Sequence, residues 1–199
     1  MAQQGSLELL SDPVAKALLE SVNPARLSYT WMDGTPRVVP IWFHWTGDQF
    51  VLGSPPKAPK LKALAADPRV ALTIDDNQWP WKVLLVRGRA SAEMLNDVSP
   101  EYESAASRYF GPEQGAAWVS TLRGKPMARI TITPGWVGIL DFQTRFPSAL
   151  TLYGPVAAAP PEGRLAPWLG VAEVPARPAR LAADMVGGLT GGAAACIVL

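Results

Sequence analysis

The stretch RVVPIWFHWTGDQFVLGSPPKAPKLKALAADP, residues 37–68, decides how this chain is read. Residues 37–45 are β-branched and aromatic enough for a strand, Thr46, Gly47 and Asp48 supply a turn, and residues 49–53 return as the second arm of a hairpin. Ser54 then opens a polar loop. Pro59 suits the first turn of a helix, where its missing N–H is not needed, and Asp67-Pro68 stops that helix after Ala66. Ser54, Lys57 and Lys60 therefore gather at a helix N-terminus, where unpaired backbone N–H groups and the positive end of the helix dipole already favour an anion. The order strand, turn, strand, loop and basic helix predicts a phosphate cradle.

Working outward, the spacing of Leu10, Val14, Ala17 and Leu18 predicts a helix over residues 13–21, started by Ser11-Asp12-Pro13. Residues 26–32 and 37–45 form a hairpin about Asp33-Gly34, the strongest short turn signal in the chain. Residues 69–74 and 82–95 are further strands, the second long enough to bend around a barrel at Gly88. Residues 99–109 and 112–122 read as helices. Residues 128–133 and 136–142 close the sheet as two strands about the turn Thr133-Pro134-Gly135. Some six strands with helices at the ends predict a small antiparallel barrel.

Composition bounds the function. At 199 residues and 48% apolar, one domain with a real core and an appendage is the expectation. A formal charge of +1 provides no long-range field to recruit nucleic acid or an acidic membrane, so anion selectivity must be local and the partner small. The single cysteine, Cys196, allows neither an internal disulfide nor a cysteine-based metal site. No metal is expected. The N-terminus lacks a basic segment followed by an apolar run, and no stretch is long enough to span a bilayer, so a cytoplasmic protein is expected. No Gly-x-Ser-x-Gly elbow and no dinucleotide fingerprint are present. Residues 151–199 are rich in Ala, Pro and Gly without an apolar period, and read as a largely disordered extension with a short helix over 179–186. Their last four residues have the form of a prenylation box, but no basic cluster precedes it.

The hairpin, the Gly53-Ser54 strand end, Lys60 four residues before Leu64, and the strand start DPRVAL at 67–72 resemble the pyridoxamine 5'-phosphate oxidase-like, flavin-binding split-barrel superfamily. The similarity continues through WPWKVLLVRGRASAEML at 79–95 and MARITITPGWVGILDFQTRFPSAL at 127–150. It implies a mainly β fold, a six-stranded antiparallel split β-barrel of Greek-key type with flanking helices over residues 1–150, assembled as a homodimer with the cofactor ring at the subunit boundary. It also implies an oxidoreductase that binds FMN, or alternatively the deazaflavin coenzyme F-420, and passes hydride to or from a small organic substrate. A flavin- or haem-related binding protein without turnover is the third reading.

On that resemblance Lys60 is the phosphate-binding lysine, with Arg37, Ser54 and Lys57 beside it. Val38, Val39, Pro40, Ile41, Trp42 and Gly53 line the ring through backbone groups and apolar walls, whereas Lys62 is a solvated surface residue. Pyridoxamine phosphate oxidases carry a lysine where Trp42 stands, and the Arg- and His-containing end segment of those enzymes is not found here. The lone histidine, His44, shares a strand face with Trp42 and Pro40 and points to the cofactor or to a subunit boundary. Hydride chemistry does not require it, because the ring carries the hydride.

Overall fold

Asp33 and Gly34 turn the chain into its first hairpin. Gly34 takes φ +84°, a left-handed value natural to glycine, and the Asp33 carboxylate accepts from the backbone N–H and the hydroxyl of Thr35 at 2.9 and 2.6 Å. The turn joins β1 (Ala25–Thr30) to β2 (Pro36–Ile41), with Thr30 opposite Pro36 and Ala25 opposite Ile41. The computed structural model describes residues 2–145. The expectations for residues 151–199, including the helix over 179–186, lie outside them.

Seven strands form one antiparallel sheet in the order β2-β1-β5-β6-β7-β4-β3. The remaining strands are β3 (His44–Trp45), β4 (Phe50–Ser54), β5 (Arg69–Asp75), β6 (Lys82–Leu95) and β7 (Met127–Asp141). The expected single strand over residues 37–45 is in fact two. β2 pairs with β1, β3 pairs with β4, and Trp42-Phe43 lie between them unpaired. This break adds a strand to the expected set, for a total of seven in the sheet. It also closes the sheet: β2 and β3 are its opposite margins, and two intervening residues hold the Cα atoms of Ile41 and His44 within roughly 11 Å.

The second correction concerns β7. Thr133-Pro134-Gly135 is not a turn between two strands but part of one continuous strand paired with β6 along its length. Arg87 lies opposite Trp136 while Gly88 lies opposite Pro134, so Gly135 is an extra residue, a bulge that bends the pair without ending it. Gly88 does mark the bend.

Alternation along the strands fills the interior. Leu27, Phe50, Leu52, Leu72, Ile74, Leu84, Val86, Ile130, Ile132, Val137 and Ile139 form the main core. Helix α1 (Pro13–Glu20), capped by Asp12 accepting from Val14 N at 2.9 Å, adds Ala15, Leu18 and Leu19. Helix α2 (Pro59–Ala66), with the bounds the sequence predicts, adds Ala63 and Leu64. Helices α3 (Pro100–Phe110) and α4 (Pro112–Ser120) build a second cluster from Val98, Tyr102, Ala106, Val119 and Met127, against which Trp42 and Trp118 pack. Among the described residues no helix is long and apolar enough to cross a membrane.

A Cβ on Gly88 would stand 2.4 Å from the Thr133 carbonyl oxygen, a backbone atom that cannot swing away. Gly88→Ala is therefore expected to cost about 1–3 kcal/mol, read as a lower urea midpoint. An unchanged midpoint would show that the bulge yields freely.

Candidate functional site

Ser54 ends β4, and the tight turn that follows, closed by the Ala58 N–H donating to the Pro55 carbonyl at 3.0 Å, delivers the chain into α2. The N-cap residue of α2 is Ala58, which has no side-chain acceptor to offer the first turn. The Ser54 hydroxyl is enclosed, the residue being 2% exposed, and has no hydrogen-bond partner among the described residues. Lys60 is also buried, at 4% exposure, and burial pushes its ammonium below the ordinary 10.5. Lys57 and Lys62 are exposed. A buried hydroxyl without a partner, an uncapped helix start and a desolvated ammonium are donors that fit a phosphate group.

The structure divides the rest of the predicted set. On β2, Val38 and Pro40 face outward, Val38 being 64% exposed, while Val39 and Ile41 pack on the main core and leave only their backbone to a ligand. Arg37 is exposed at the strand start, with its guanidinium 5.1 Å from the centre of the Trp31 ring. Trp42 is occupied by α3: it stacks on Tyr109 at 4.9 Å and meets the edge of Phe110 at 4.7 Å. Gly53 lies under the same helix, close enough that an added Cβ would stand 2.3 Å from the Tyr102 ring.

Both ends of α3 are tied to the barrel. Near its start Glu101 accepts from Arg129, at 2.5 Å; Arg129 lies on β7 opposite Gly53. Near its end the Arg108 guanidinium donates to the carbonyls of Leu19 at 2.5 Å and Ser21 at 2.8 Å, and to the Phe43 carbonyl at the strand break. It also lies over the Phe43 ring, 4.5 Å from its centre.

His44 begins β3, Pro40 belongs to β2 and Trp42 lies between the strands, so the three do not share a face of one strand as expected. With Lys16, Glu20, Trp45 and Arg108, His44 lines a cleft of about 750 Å³ between α1, β3 and α3, and none of the predicted cofactor residues lines that cleft. Burial first, and the charge of Arg108 second, push the imidazole below its ordinary 6.5. Arg108, Tyr102 and Tyr109 carry no sequence signal beyond an apolar face on α3 with a basic residue in its last turn. That pattern reads as ordinary helix packing and dipole compensation.

A family model described as pyridoxamine 5'-phosphate oxidase matches residues 11–113, more than half of the 199-residue chain. The chain belongs to this family. Among solved structures, a conserved hypothetical protein from Mycobacterium tuberculosis is 19% identical with a TM-score of 0.55, the match covering 70% of this chain and 90% of that one. An F-420 reductase is 25% identical with a TM-score of 0.48, covering 62% of this chain and 94% of that one. A Listeria innocua protein assigned as a pyridoxamine 5'-phosphate oxidase is 23% identical with a TM-score of 0.47, covering 63% and 94%. No curated protein matches.

Two outcomes follow from this geometry. Gly53→Ala forces Tyr102 and α3 outward and is expected to cost about 1–3 kcal/mol in chemical denaturation. For His44 the folded state binds its proton less readily than the unfolded state, so stability is lost as pH falls below 6.5. His44→Gln is expected to show a smaller drop in Tm between neutral pH and the acid side of that value. Equal drops in both proteins would remove His44 as a source of acid sensitivity.

Proposed function

We propose that this chain is a flavin-type oxidoreductase whose cofactor phosphate is held by Ser54, Lys60 and the open start of α2. The observation that carries the reading is the enclosed Ser54 hydroxyl without a partner, beside an uncapped helix start. The family match supports it, since it spans both residues. FMN is the first choice of cofactor and coenzyme F-420 the second. When bound, such a group supplies hydride transfer at its ring. The chain's own residues do the rest: Lys60 neutralises phosphate charge, Lys57 adds an exposed cation nearby, and the outer face of β2, with Val38 and Pro40, offers an apolar wall.

The substrate class is a small organic molecule other than pyridoxamine phosphate. Where pyridoxamine phosphate oxidases carry a lysine, this chain has Trp42, whose ring is engaged with Tyr109 and Phe110 and offers no cation. A homodimer belongs to the same proposal. Val38 and Met94 are exposed by 64% and 56%, and a second copy would cover such apolar surface.

Because Lys60 is buried, Lys60→Met is the cleaner test: it keeps the packed stem and removes the charge. It is expected to weaken FMN binding by roughly 1.5–3 kcal/mol, about tenfold to a hundredfold, with the fold retained. The exposed neighbour Lys62→Ala should change affinity by less than about 0.5 kcal/mol. Titration of both variants with FMN and with F-420 tests the cradle twice, because the phosphate is shared and the rings differ. Equal affinities of Lys60→Met and the parent for both coenzymes would remove the cradle. Turnover of pyridoxamine phosphate at the rate of an authentic oxidase would overturn the substrate assignment.

A further inference from the structure

The cleft beside His44 stands apart from the cradle and from anything the family match assigns. Arg108 lines it, with its guanidinium fixed in place by three carbonyl oxygens. Carbonyl dipoles solvate a cation without neutralising it. Among the described residues no carboxylate pairs with Arg108, although seven ion pairs are formed by other residues. The cleft contains a second cation, Lys16, and a single acid, Glu20, one turn away on α1 and not within ion-pair distance of either. The charged side chains lining the cleft therefore leave one excess positive charge, beside an imidazole held below its ordinary pKa by burial first and Arg108 second; Glu101, which opposes them at His44, is itself paired with Arg129. Leu10, Leu19 and Trp45 give the same space apolar walls.

We propose that this cleft binds a small monocarboxylate with an apolar body, its carboxylate between Arg108 and Lys16 and its body against Leu10, Leu19 and Trp45. A planar guanidinium held rigid beforehand suits a carboxylate, since little rotamer freedom is lost on binding. A phosphate dianion fits less well, because its second charge exceeds the excess and faces Glu20. The site is independent of the cofactor: it needs no residue of the cradle.

The test uses the full chain, with benzoate as the anionic probe, benzamide as its neutral counterpart and inorganic phosphate as the competing anion. Binding is followed by amide chemical shifts at low salt, with and without saturating FMN. Benzoate is expected to shift the amides of Lys16, His44 and Arg108 saturably, with benzamide at least about tenfold weaker. Lys16→Gln should weaken benzoate roughly twofold to fivefold, and Glu20→Gln should tighten it by a similar factor. Both residues are exposed, so the fold is retained in each variant. Benzamide binding as tightly as benzoate, no response to either substitution, shifts gathered at Ser54 and Lys60, or phosphate binding more tightly than benzoate would each overturn the assignment. Failure of FMN to bind would count against the cradle and leave this test intact.

Discussion

The structure depends on a two-residue link. Trp42 and Phe43 join the opposite margins of the sheet, so whatever fixes them fixes the closure of the barrel. Helix α3 holds both residues from one side, while the Phe43 ring packs against Phe50 in the main core. The Phe43 carbonyl accepts from Arg108, a charge-assisted bond of the kind worth about 1.5–3 kcal/mol, and Trp42 stacks on Tyr109, a pair worth about 0.5–1.5 kcal/mol beyond its burial. With its far end anchored through Glu101 and Arg129, α3 lays Tyr102 on Gly53. That contact sets the last residues of β4, and so the position from which Ser54 faces the start of α2. Closure and cradle are thereby mechanically connected.

The electrostatics are local. In a chain with net charge near zero, cations gather with few acids at the start of α2 and between α1, β3 and α3. These places differ in kind. At α2, burial leaves a hydroxyl without a partner and an ammonium below its ordinary pKa, a state that an incoming phosphate relieves. In the cleft, Arg108 is already bonded to carbonyls and lacks only a counter-charge. The first place suits a doubly charged group held from several sides, the second a singly charged one at the end of an apolar body.

Much of the fold is legible in local signals. The Pro-started, Asp-stopped helix from Pro59 to Ala66 and the strand from Lys82 to Leu95 are read to the residue, because Pro, Asp-Pro and β-branched runs act within a few positions. The break at Trp42-Phe43 is not legible. Residues 37–45 have uniform strand propensity, and only pairing with two different neighbours divides them. The same holds for Thr133-Pro134-Gly135, where turn residues serve as a bulge because β6 continues alongside. At the site, sequence places Ser54 and Lys60 at a strand end and a helix start, but the depth of Lys60 is not legible, since burial is decided by what α2 packs against. Arg108 is invisible for a related reason: its role consists of carbonyls distant in sequence.

The proposed cofactor site stands or falls on the Ser54–Lys60 segment holding a phosphate. Its most direct test is the 31P NMR signal of FMN bound to the full chain, followed across the second phosphate ionisation near about pH 6. The expected result is a phosphate resonance displaced from that of free FMN and no longer titrating in that range, because the ammonium and helix N–H groups hold the dianion, with titration restored in Lys60→Met. A bound phosphate that titrates as in free FMN would contradict it.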